Sequence, residues 1–292
     1  MATKTSLLGL TKPAYTEAAD IAVLNTNFDL IDRAVGNGAR AENLLVNSWF
    51  VNPIAQAGQN GRHGSSKYVC DRWISWDKDA TFANECMTPG SPVDQRLDPN
   101  MISQTKTYTA AICLSDGTIK AASGTFASGI GSYAVGVLAT GTTTPYVRLN
   151  TGVAVRWAAL YEGAYTAETL PAYVYKGYAA ELAECQRYYV RYSAVSNPVL
   201  LTTGMANGTQ VYAPLYLPQP MRTWPTLTSS GIDLYPGVGS VAATDVGIHS
   251  TSQDRSLLLL YCNYEATASL PARSSAAMRI TTGGYIDFSA DL

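Results

Sequence analysis

An apolar stripe near the start of the chain constrains its fold more than any other feature. Five apolar residues follow one another in steps of three and four, which places their side chains on one face of an α-helix: Ile21, Leu24, Phe28, Ile31 and Val35. The segment that follows has the pattern of loop and strand, so it offers this face no obvious helical partner. Identical copies of the helix are the simplest partners, and the spacing predicts a coiled-coil-like helix that joins three chains.

Both ends of this helix carry sequence signals. Thr16 is the predicted N-cap, and the carboxylates of Glu17 and Asp20 suit the positive end of the helix dipole. Gly36-Asn37-Gly38 predicts its end, which gives about 19 helical residues and a length of roughly 28 Å. The stripe covers just over two heptads, fewer than a clear coiled coil has. An ordinary amphipathic helix that packs on its own chain is therefore the alternative.

Residues 42–162 have the pattern of antiparallel strands. Val153 to Tyr161 alternates between two faces, and Thr105 to Leu114 alternates well enough for a half-buried strand. Glycines interrupt the stretch between them at short intervals, as hairpins require: Gly117, Gly124, Gly129, Gly131, Gly136 and Gly141. This pattern predicts a jelly-roll β-sandwich.

Residues 163–192 are predicted to be a connector followed by a short second helix. Apolar and aromatic side chains again step by four and three, at Tyr178, Leu182, Cys185, Tyr189 and Tyr192. The residues between the first three are good helix formers, mostly Ala and Glu.

Residues 193–292 return to strands. Gln210 to Leu217 alternates, with Tyr212 and Tyr216 on the face opposite its aliphatic residues, and Ser256 to Tyr264 has the apolar run of a central strand. Residues 275–281 and 285–288 are expected to close the sheet. The sequence thus predicts a mainly β chain in four parts: an N-terminal attachment segment with the helix (1–41), the jelly roll (42–162), the connector and second helix (163–192), and a smaller β-sandwich domain (193–292).

Composition excludes several classes of partner. Charged residues make up 14% of the chain, the formal net charge is −2 and no run of Lys or Arg occurs, so there is no electrostatic footprint for nucleic acid or anionic lipid. No apolar stretch approaches the roughly 20 residues that span a membrane. The first residues lack the apolar core of a secretory signal. We therefore expect assembly in a cytoplasm and release by a route other than secretion.

The five cysteines do not form a framework. Their number is odd, their spacing is wide and no C-x-x-C motif occurs among them, which argues against disulfides and a structural zinc site. Buried free thiols are the expectation.

Catalytic motifs are not evident, and no catalytic residue is predicted. His63 and His249 are the only histidines, and neither has the partners of a hydrolase triad around it, so both are expected on surface loops. Asp71, Asp77 and Asp79 cluster in sequence and leave open a glycosidase that uses two carboxylates. The simpler interpretation is a strand entry with an Asp–Arg pair at Asp71-Arg72 and a solvated turn at residues 77–79.

Metal and cofactor sites are not predicted either. Five aspartates near the end of the chain offer oxygen atoms that suit calcium: Asp233, Asp245, Asp254, Asp287 and Asp291. They lack the spacing of a known calcium loop, and solvated turns are the expected role.

Sugar binding is the main functional hypothesis from the residues themselves. Carbohydrate sites combine flat aromatic faces with hydrogen-bonding side chains, and the chain has 19 tyrosines and 5 tryptophans. The candidate contact residues are Tyr212, Tyr216, Trp224 and Tyr235; the alternative is that these rings fill a core or a subunit interface. Trp49, Trp73 and Trp157 are assigned to the core.

Several segments resemble one protein family. Leu8 to Pro13 (LGLTKP) and Leu24 to Asp32 (LNTNFDLID) resemble the N-terminal segment of tail-fibre and receptor-binding proteins of tailed phages and prophages. Glu42 to Ile54, with Asp71-Arg72-Trp73 further on, resembles the opening of their jelly-roll domain. Leu182 to Tyr189 is similar to a C-Q-R-Y-Y signature ahead of their C-terminal β-domain, and the segment 217–226 is similar to the strand and turn that follow it.

The resemblance implies a virion component without enzymatic activity. It implies a homotrimer on the phage tail, assembled in the bacterial host cytoplasm, whose N-terminal end docks on other tail or baseplate proteins and whose β-domains bind a host-surface glycan. The resemblance does not identify a binding site in this chain. Three alternatives remain open: a structural baseplate or collar component without receptor contact, a polysaccharide depolymerase, and a monomeric carbohydrate-binding module of a cellular protein.

Overall fold

The chain divides into two compact units that do not follow the linear order of the sequence. The N-terminal unit comprises Met1–Asn52 and Ser75–Tyr175, and the C-terminal unit comprises Pro53–Ile74 and Lys176–Leu292. The segment 53–74, which the strand pattern assigned to the first β-domain, thus belongs with the C-terminal strands. The computed structural model describes residues 3–4, 10–12, 20–28, 31, 42–61, 67–237, 239–252, 254–265, 270 and 273–291.

The N-terminal segment joins two short strands to a helix. Strands β1 (Thr3–Lys4) and β2 (Thr11–Lys12) pair antiparallel, and helix α1 covers residues 21–28, with Ile31 also helical. The side-chain amide of Asn27 donates to the carbonyl oxygen of Thr11 and accepts from its N–H, both at 2.9 Å. Asn27 therefore satisfies both backbone groups of Thr11 and fastens the helix to β2.

Helix α1 begins later than the sequence signals predict. The carboxylate of Asp20 accepts a hydrogen bond from the N–H of Ala22 at 2.8 Å, the bond by which an N-cap residue satisfies a free donor of the first turn. Asp20 is thus an N-cap of this helix, whereas Thr16, the predicted N-cap, lies outside the described residues. A carboxylate at this position also suits the helix dipole.

Two antiparallel sheets form the body of the N-terminal unit. One has the order β5-β6-β13-β8-β9, and the other contains β10-β11-β12-β7 in that order. An added Cβ at Gly136 would lie 2.9 Å from Cδ1 of Ile112 on β8, so the sheets are in contact as layers of a β-sandwich. The strands are β5 (Ala80–Ala83), β6 (Cys86–Pro89), β7 (Val93–Arg96), β8 (Tyr108–Leu114), β9 (Ile119–Gly124), β10 (Ile130–Ser132), β11 (Val137–Thr140), β12 (Tyr146–Leu149) and β13 (Val155–Glu162); a 3-10 turn covers Pro99–Met101.

Strand β13 is where the predicted alternation fails. Its register with β8 shifts between Val155 and Trp157, so a bulge changes the face on which the following side chains lie. Residues 158–161 are all buried, and β8, which was predicted to be half-buried, is also buried from Tyr108 to Cys113. A strand covered on both sides explains this burial.

The second helix is shorter than predicted. Helix α2 covers Tyr178–Gln186, and strand β14 (Tyr189–Ser193) follows it at once. Tyr189 and Tyr192 therefore lie on a strand and not on the helix. The strand forms because residues 189–193 pair with the last strand of the chain and because Val190, 1% exposed, fills the core.

One closed sheet forms the C-terminal unit, together with the hairpin of β3 (Tyr68–Cys70) and β4 (Trp73–Ser75). Its order is β14-β20-β15-β16-β19-β18-β17, and β17 also pairs with β20, which closes six antiparallel strands on themselves. The predicted smaller sandwich is thus a single sheet, with an interior of aliphatic side chains and Phe288. The strands are β15 (Val199–Ala206), β16 (Gln210–Tyr216), β17 (Thr226–Tyr235), β18 (Val241–Ile248), β19 (Leu257–Tyr264) and β20 (Ser275–Ser289).

A glycine bend in β20 permits the closure. The two segments predicted to close the sheet form one strand, whose pairing with β17 jumps between Ser230 and Ile232. Gly283 has φ +78°, and an added Cβ at Gly284 would lie 2.7 Å from the carbonyl oxygens of Ser230 and Gly231. The bend therefore requires both a left-handed residue and a residue without a side chain.

We expect Gly284→Ala to destabilise the chain by about 2 kcal/mol, because the new methyl group overpacks against backbone that has no room to move. Gly208→Ala is the control: Gly208 has φ +76° with open space around it, so only backbone strain of about 1 kcal/mol opposes the substitution. The midpoint of urea unfolding measures both. Equal shifts for the two variants would show that the short distance from Gly284 to the carbonyl oxygens of Ser230 and Gly231 does not oppose the added methyl group.

The five cysteines confirm the prediction of buried free thiols. All five are buried and unpaired with one another. Burial raises the pKa of Cys70 and Cys185 well above the ordinary value and that of Cys262 to about 12, which makes these thiols unreactive. Among the described residues, no helix is long and apolar enough to cross a membrane.

Candidate ligand-binding strip

The apolar stripe of helix α1 lies open to solvent. Ile21 is 72% exposed, Leu24 42%, Phe28 64% and Ile31 38%, whereas Val35 lies outside the described residues. The amphipathic-helix alternative requires the chain to bury these four side chains. They are exposed instead. An exposed aliphatic and aromatic face of this kind is typical of an association surface.

The four predicted sugar-contact residues do not lie together. Tyr212 and Tyr216 share the outward face of β16, where Tyr212 is half-buried and Tyr216 is 72% exposed. Trp224, 51% exposed, lies on the loop before β17, and Tyr235, 38% exposed, ends β17 beneath the guanidinium of Arg279, 4.4 Å from the ring centre. The structure thus brings together two of the four.

Strand β16 presents its tyrosines because its residues alternate strictly. Val211, Ala213 and Leu215 point into the closed sheet and are buried, so Tyr212 and Tyr216 must point outward. Strand β19 pairs with β16 along its whole length. We call their joint outward face the β16–β19 strip, which comprises Gln210, Tyr212, Pro214, Tyr216, Leu257, Leu259, Tyr261 and Asn263. Six steps of about 3.4 Å make it about 20 Å long.

The polar end of the strip is a network of amides and a carboxylate. Gln210 and Asn263 are partners across the strands, and Nε2 of Gln210 donates to Oδ1 of Asn263 at 2.8 Å. Asn263 in turn donates through Nδ2 to Asp245 of β18 at 3.3 Å, and the hydroxyl of Tyr212 donates to Oε1 of Gln210. Each bond fixes the direction of the next polar group, which gives the end a defined pattern of donors and acceptors.

The centre of the strip is aromatic. Tyr212 and Tyr261 are direct cross-strand partners, and the ring of Tyr261 lies so close over Gly247 that an added Cβ there would be 2.4 Å from it. His249 meets Tyr212 edge to face, with ring centres 5.2 Å apart. The nearby Asp245 carboxylate raises the pKa of Tyr261, so its phenol remains a hydrogen-bond donor at neutral pH.

A pocket of about 330 Å³ lies at the apolar end of the strip. Pro214, Leu257 and Leu259 form one side of it, and the loop that carries Thr251 and Asp254 forms the other. The backbone N–H and hydroxyl of Ser256 both donate to Asp254 at 2.7 Å and lower its pKa. Asp254 therefore remains an ionised acceptor at the rim of the pocket.

The side chains along the strip suit the binding of a sugar chain. Aromatic rings, amides and two carboxylates along one face are groups that hold a chain of hydroxylated rings. Asp245 lies beside Asn263 at one end, whereas Asp254 lies near Leu257 at the other. Their separation of about 20 Å, from the strand rise, is larger than the roughly 5–9.5 Å of a glycosidase pair.

One carboxylate with a strongly raised pKa, Asp71, lies in the interior. Asp71 is 2% exposed and accepts hydrogen bonds from the N–H and Nε2 of Gln56 and from Nε2 of Gln59, at 3.1, 2.7 and 3.1 Å. Burial raises its pKa to about 6. Its neighbour Arg72 pairs with Asp291 and lies 3.6 Å from the ring centre of Tyr188. Buried in this way, Asp71 offers no general acid to a substrate.

The other acidic residues have simple structural roles. Asp77 and Asp79 are exposed in a turn, as predicted. Asp233 and Asp287 face Arg279 and Arg191 across paired strands, at 2.7 and 2.6 Å, so guanidinium groups take the place that a calcium ion would need. Among the described residues, no group of three His, Cys, Asp or Glu side chains is arranged to hold a metal ion.

Sequence analysis missed half of the strip. It treated Ser256 to Tyr264 as an apolar central strand, whereas only Leu258, Leu260, Cys262 and Tyr264 point inward. The signal was present: every second residue from Leu257 to Asn263 shares the opposite face. Of the tryptophans assigned to the core, Trp73 is fully buried, but Trp49 and Trp157 are half-buried and stack on Tyr175 and Tyr173 of the connector. His249 is half-buried in the strip, and His63 lies outside the described residues.

No protein family, curated protein or solved structure matches this chain.

Proposed function

We propose that this chain is a structural protein of a phage virion, a homotrimeric tail fibre or tail-tip adhesin that binds a host-surface glycan. The observation that carries the proposal is the β16–β19 strip: a 20 Å face, by the strand rise, on which three tyrosines, two amides and a pocket lie in line. A rigid face of this kind pays little conformational entropy when a sugar chain binds to it.

The N-terminal segment supplies assembly and attachment. The exposed stripe of helix α1 is covered when three copies form a short coiled coil, and β1 and β2 stay available for docking on a tail or baseplate protein. In this proposal the two sheets of the N-terminal unit are the jelly-roll body. Three strips on one particle bind a surface far more tightly than one, since the second and third contacts form at high effective concentration.

Two alternatives predict different behaviour. A baseplate or collar component without receptor contact needs the trimer but not the strip. A polysaccharide depolymerase needs a pair of carboxylates near bound sugar, and release of reducing ends from host envelope is its test. The exposed, pre-ordered aromatic strip favours the adhesin over the first alternative, and the wide separation of Asp245 and Asp254 favours it over the second.

We expect the double variant Tyr212→Ala, Tyr216→Ala to lose most adsorption to host cells. Each tyrosine contributes contact area to a bound sugar, and a loss of about 1.4 kcal/mol per ring lowers affinity about tenfold per contact. The measurement is binding of the fluorescently labelled trimer to host cells as a function of concentration.

Tyr178→Ala is the matched control, because Tyr178 is 53% exposed and lies on α2 instead of the strip. It should leave adsorption unchanged. Full adsorption by the double variant, with an unchanged trimer, would remove the strip from receptor binding. Absence of adsorption by the wild-type trimer would support the structural alternative.

A further inference from the structure

A second aromatic site lies on the N-terminal unit, on a turn that the glycan proposal does not use. Trp76 is 56% exposed although it is the largest type of apolar side chain. Its Nε1 donates to Oδ2 of Asp94 at 2.8 Å. The polar atom of the indole is thus satisfied from within, and the ring is held with its surface toward solvent.

Asp94 holds Trp76 and Arg148 in place by accepting hydrogen bonds from both. It is 5% exposed, and Arg148, its partner across β7 and β12, binds it in bidentate fashion through Nε at 2.7 Å and Nη2 at 2.8 Å. Oδ2 accepts two hydrogen bonds and Oδ1 accepts one from these groups. A carboxylate oxygen has two lone pairs, so Oδ1 has the capacity to accept a further donor.

Arg148 joins two aromatic side chains. Its guanidinium lies 5.2 Å from the ring centre of Trp76 and 4.9 Å from that of Tyr146. Cation–π contacts and a bidentate ion pair leave these side chains little rotational freedom. The rings are therefore ordered before any ligand arrives.

The same kind of cross-strand pair occurs twice in the C-terminal unit. Asp233 pairs with Arg279 beside Tyr235, and Asp287 pairs with Arg191 beside Tyr285. An Asp–Arg pair beside a tyrosine is thus a device that stabilises neighbouring strands. The pair at Asp94 differs because an exposed indole is added and a pocket of about 300 Å³ opens there.

The pocket has the groups that a single sugar ring requires. Its lining consists of Trp76, Asp94, Arg96, Thr144 and Tyr146. The indole of Trp76 offers a flat apolar surface for the C–H face of a pyranose, and the carboxylate of Asp94 accepts from a hydroxyl. The guanidinium and the threonine hydroxyl of the lining donate to ring or hydroxyl oxygens of the sugar. We propose that this pocket binds one pyranose residue, as a glycan site separate from the β16–β19 strip.

The test uses the full-length Tyr212→Ala, Tyr216→Ala protein, in which the strip has lost its rings. Saturation-transfer NMR is recorded with methyl glycosides of glucose, galactose, mannose and N-acetylglucosamine as probes, and with adenosine monophosphate as a flat aromatic counter-probe. We expect at least one glycoside to bind, and the further change Trp76→Ala to weaken it at least tenfold. Trp76→Phe should recover part of the affinity, and Tyr178→Ala in place of Trp76→Ala should change nothing.

Three results would overturn the proposal. They are no binding of any glycoside to the double variant, equal binding with and without Trp76, and binding of adenosine monophosphate as tight as that of the best glycoside. Circular dichroism confirms that each variant is folded. Because the strip is already disabled, failure here leaves the strip proposal unaffected, and failure of adsorption through the strip leaves this site unaffected.

Discussion

Phe28→Asp should convert the assembled protein to monomers. Light scattering of the full-length chain should give three times 31.2 kDa for the wild type and 31.2 kDa for the variant. Phe28 is 64% exposed in the single chain, so the charge costs the monomer almost nothing. In a trimer the same carboxylate would be buried three times without a partner.

The size of the effect follows from that difference. An unpaired charge in an apolar interface destabilises by about 3–5 kcal/mol, and three of them would meet at one layer of the proposed coiled coil. Neutralisation by proton uptake lowers this cost but still leaves a polar group where apolar contact is needed. The association constant should therefore fall by several orders of magnitude, and the monomer should dominate at micromolar concentration.

Thr26→Asp is the control on the same helix. Thr26 is exposed and lies about half a turn around the helix from the centre of the stripe, so an equal charge there should leave the trimer intact. If Phe28→Asp stays trimeric, assembly belongs to the β-units, and α1 is free for docking. If Thr26→Asp also dissociates, the helix tolerates no charge on either face and the stripe is not the specific interface.

The parts of the fold with strict alternation were predictable. Gln210 to Leu217 shows period two without interruption, and the structure places its inward and outward residues as the pattern predicts. The same argument placed Tyr212 and Tyr216 outside the core. The alternation does not predict which strand pairs with β16, because its partner β19 lies about 50 positions away in the sequence.

The secondary-structure predictions were wrong where the local sequence fits two patterns and pairing with a distant strand selects one of them. Residues 188–192 fit a helical step and also alternate as a strand does, and pairing with β20 selects the strand. Glycines 283 and 284 look like a turn between two strands, yet they form a bend within one strand. The grouping of 53–74 with the C-terminal strands depends on buried polar contacts, such as the bond from Nε2 of Gln56 to the carbonyl oxygen of Tyr189 at 2.7 Å, and hydrophobic patterning carries no information about those.

Asp71 at the centre of those contacts gives the second large expected effect, a stability that falls as pH rises. Its folded-state pKa is about 6, above the ordinary value of 3.8, because burial penalises the charged form more than the hydrogen bonds of Gln56 and Gln59 favour it. Between these two values the folded chain holds a proton that the unfolded chain has released. The stabilisation is therefore complete below about pH 4 and is lost as pH rises through about 6.

The expected size is about 3 kcal/mol, from 1.36 kcal/mol per unit of difference in pKa. Other groups titrate over the same range, so the wild type alone does not isolate Asp71. Asp71→Asn keeps the size of the side chain and removes the titration. We expect the free energy of urea unfolding of the wild type, relative to that of Asp71→Asn, to decrease by about 3 kcal/mol between pH 3 and pH 8.

The sign of this change distinguishes burial from ion pairing as the dominant influence on Asp71. A carboxylate stabilised mainly by donors or by Arg72 would have a lowered pKa, and the wild type would then gain stability over Asp71→Asn as pH rises toward about 5 and stay level above it. Parallel pH profiles for the two proteins would mean that Asp71 titrates alike in the folded and unfolded chains, so that burial imposes no cost on its charge. A difference that decreases from about pH 4 and levels off above about pH 6 would place the cost in the buried carboxylate itself, at the position where residues 53–74 are held on the C-terminal strands by hydrogen bonds of Gln56.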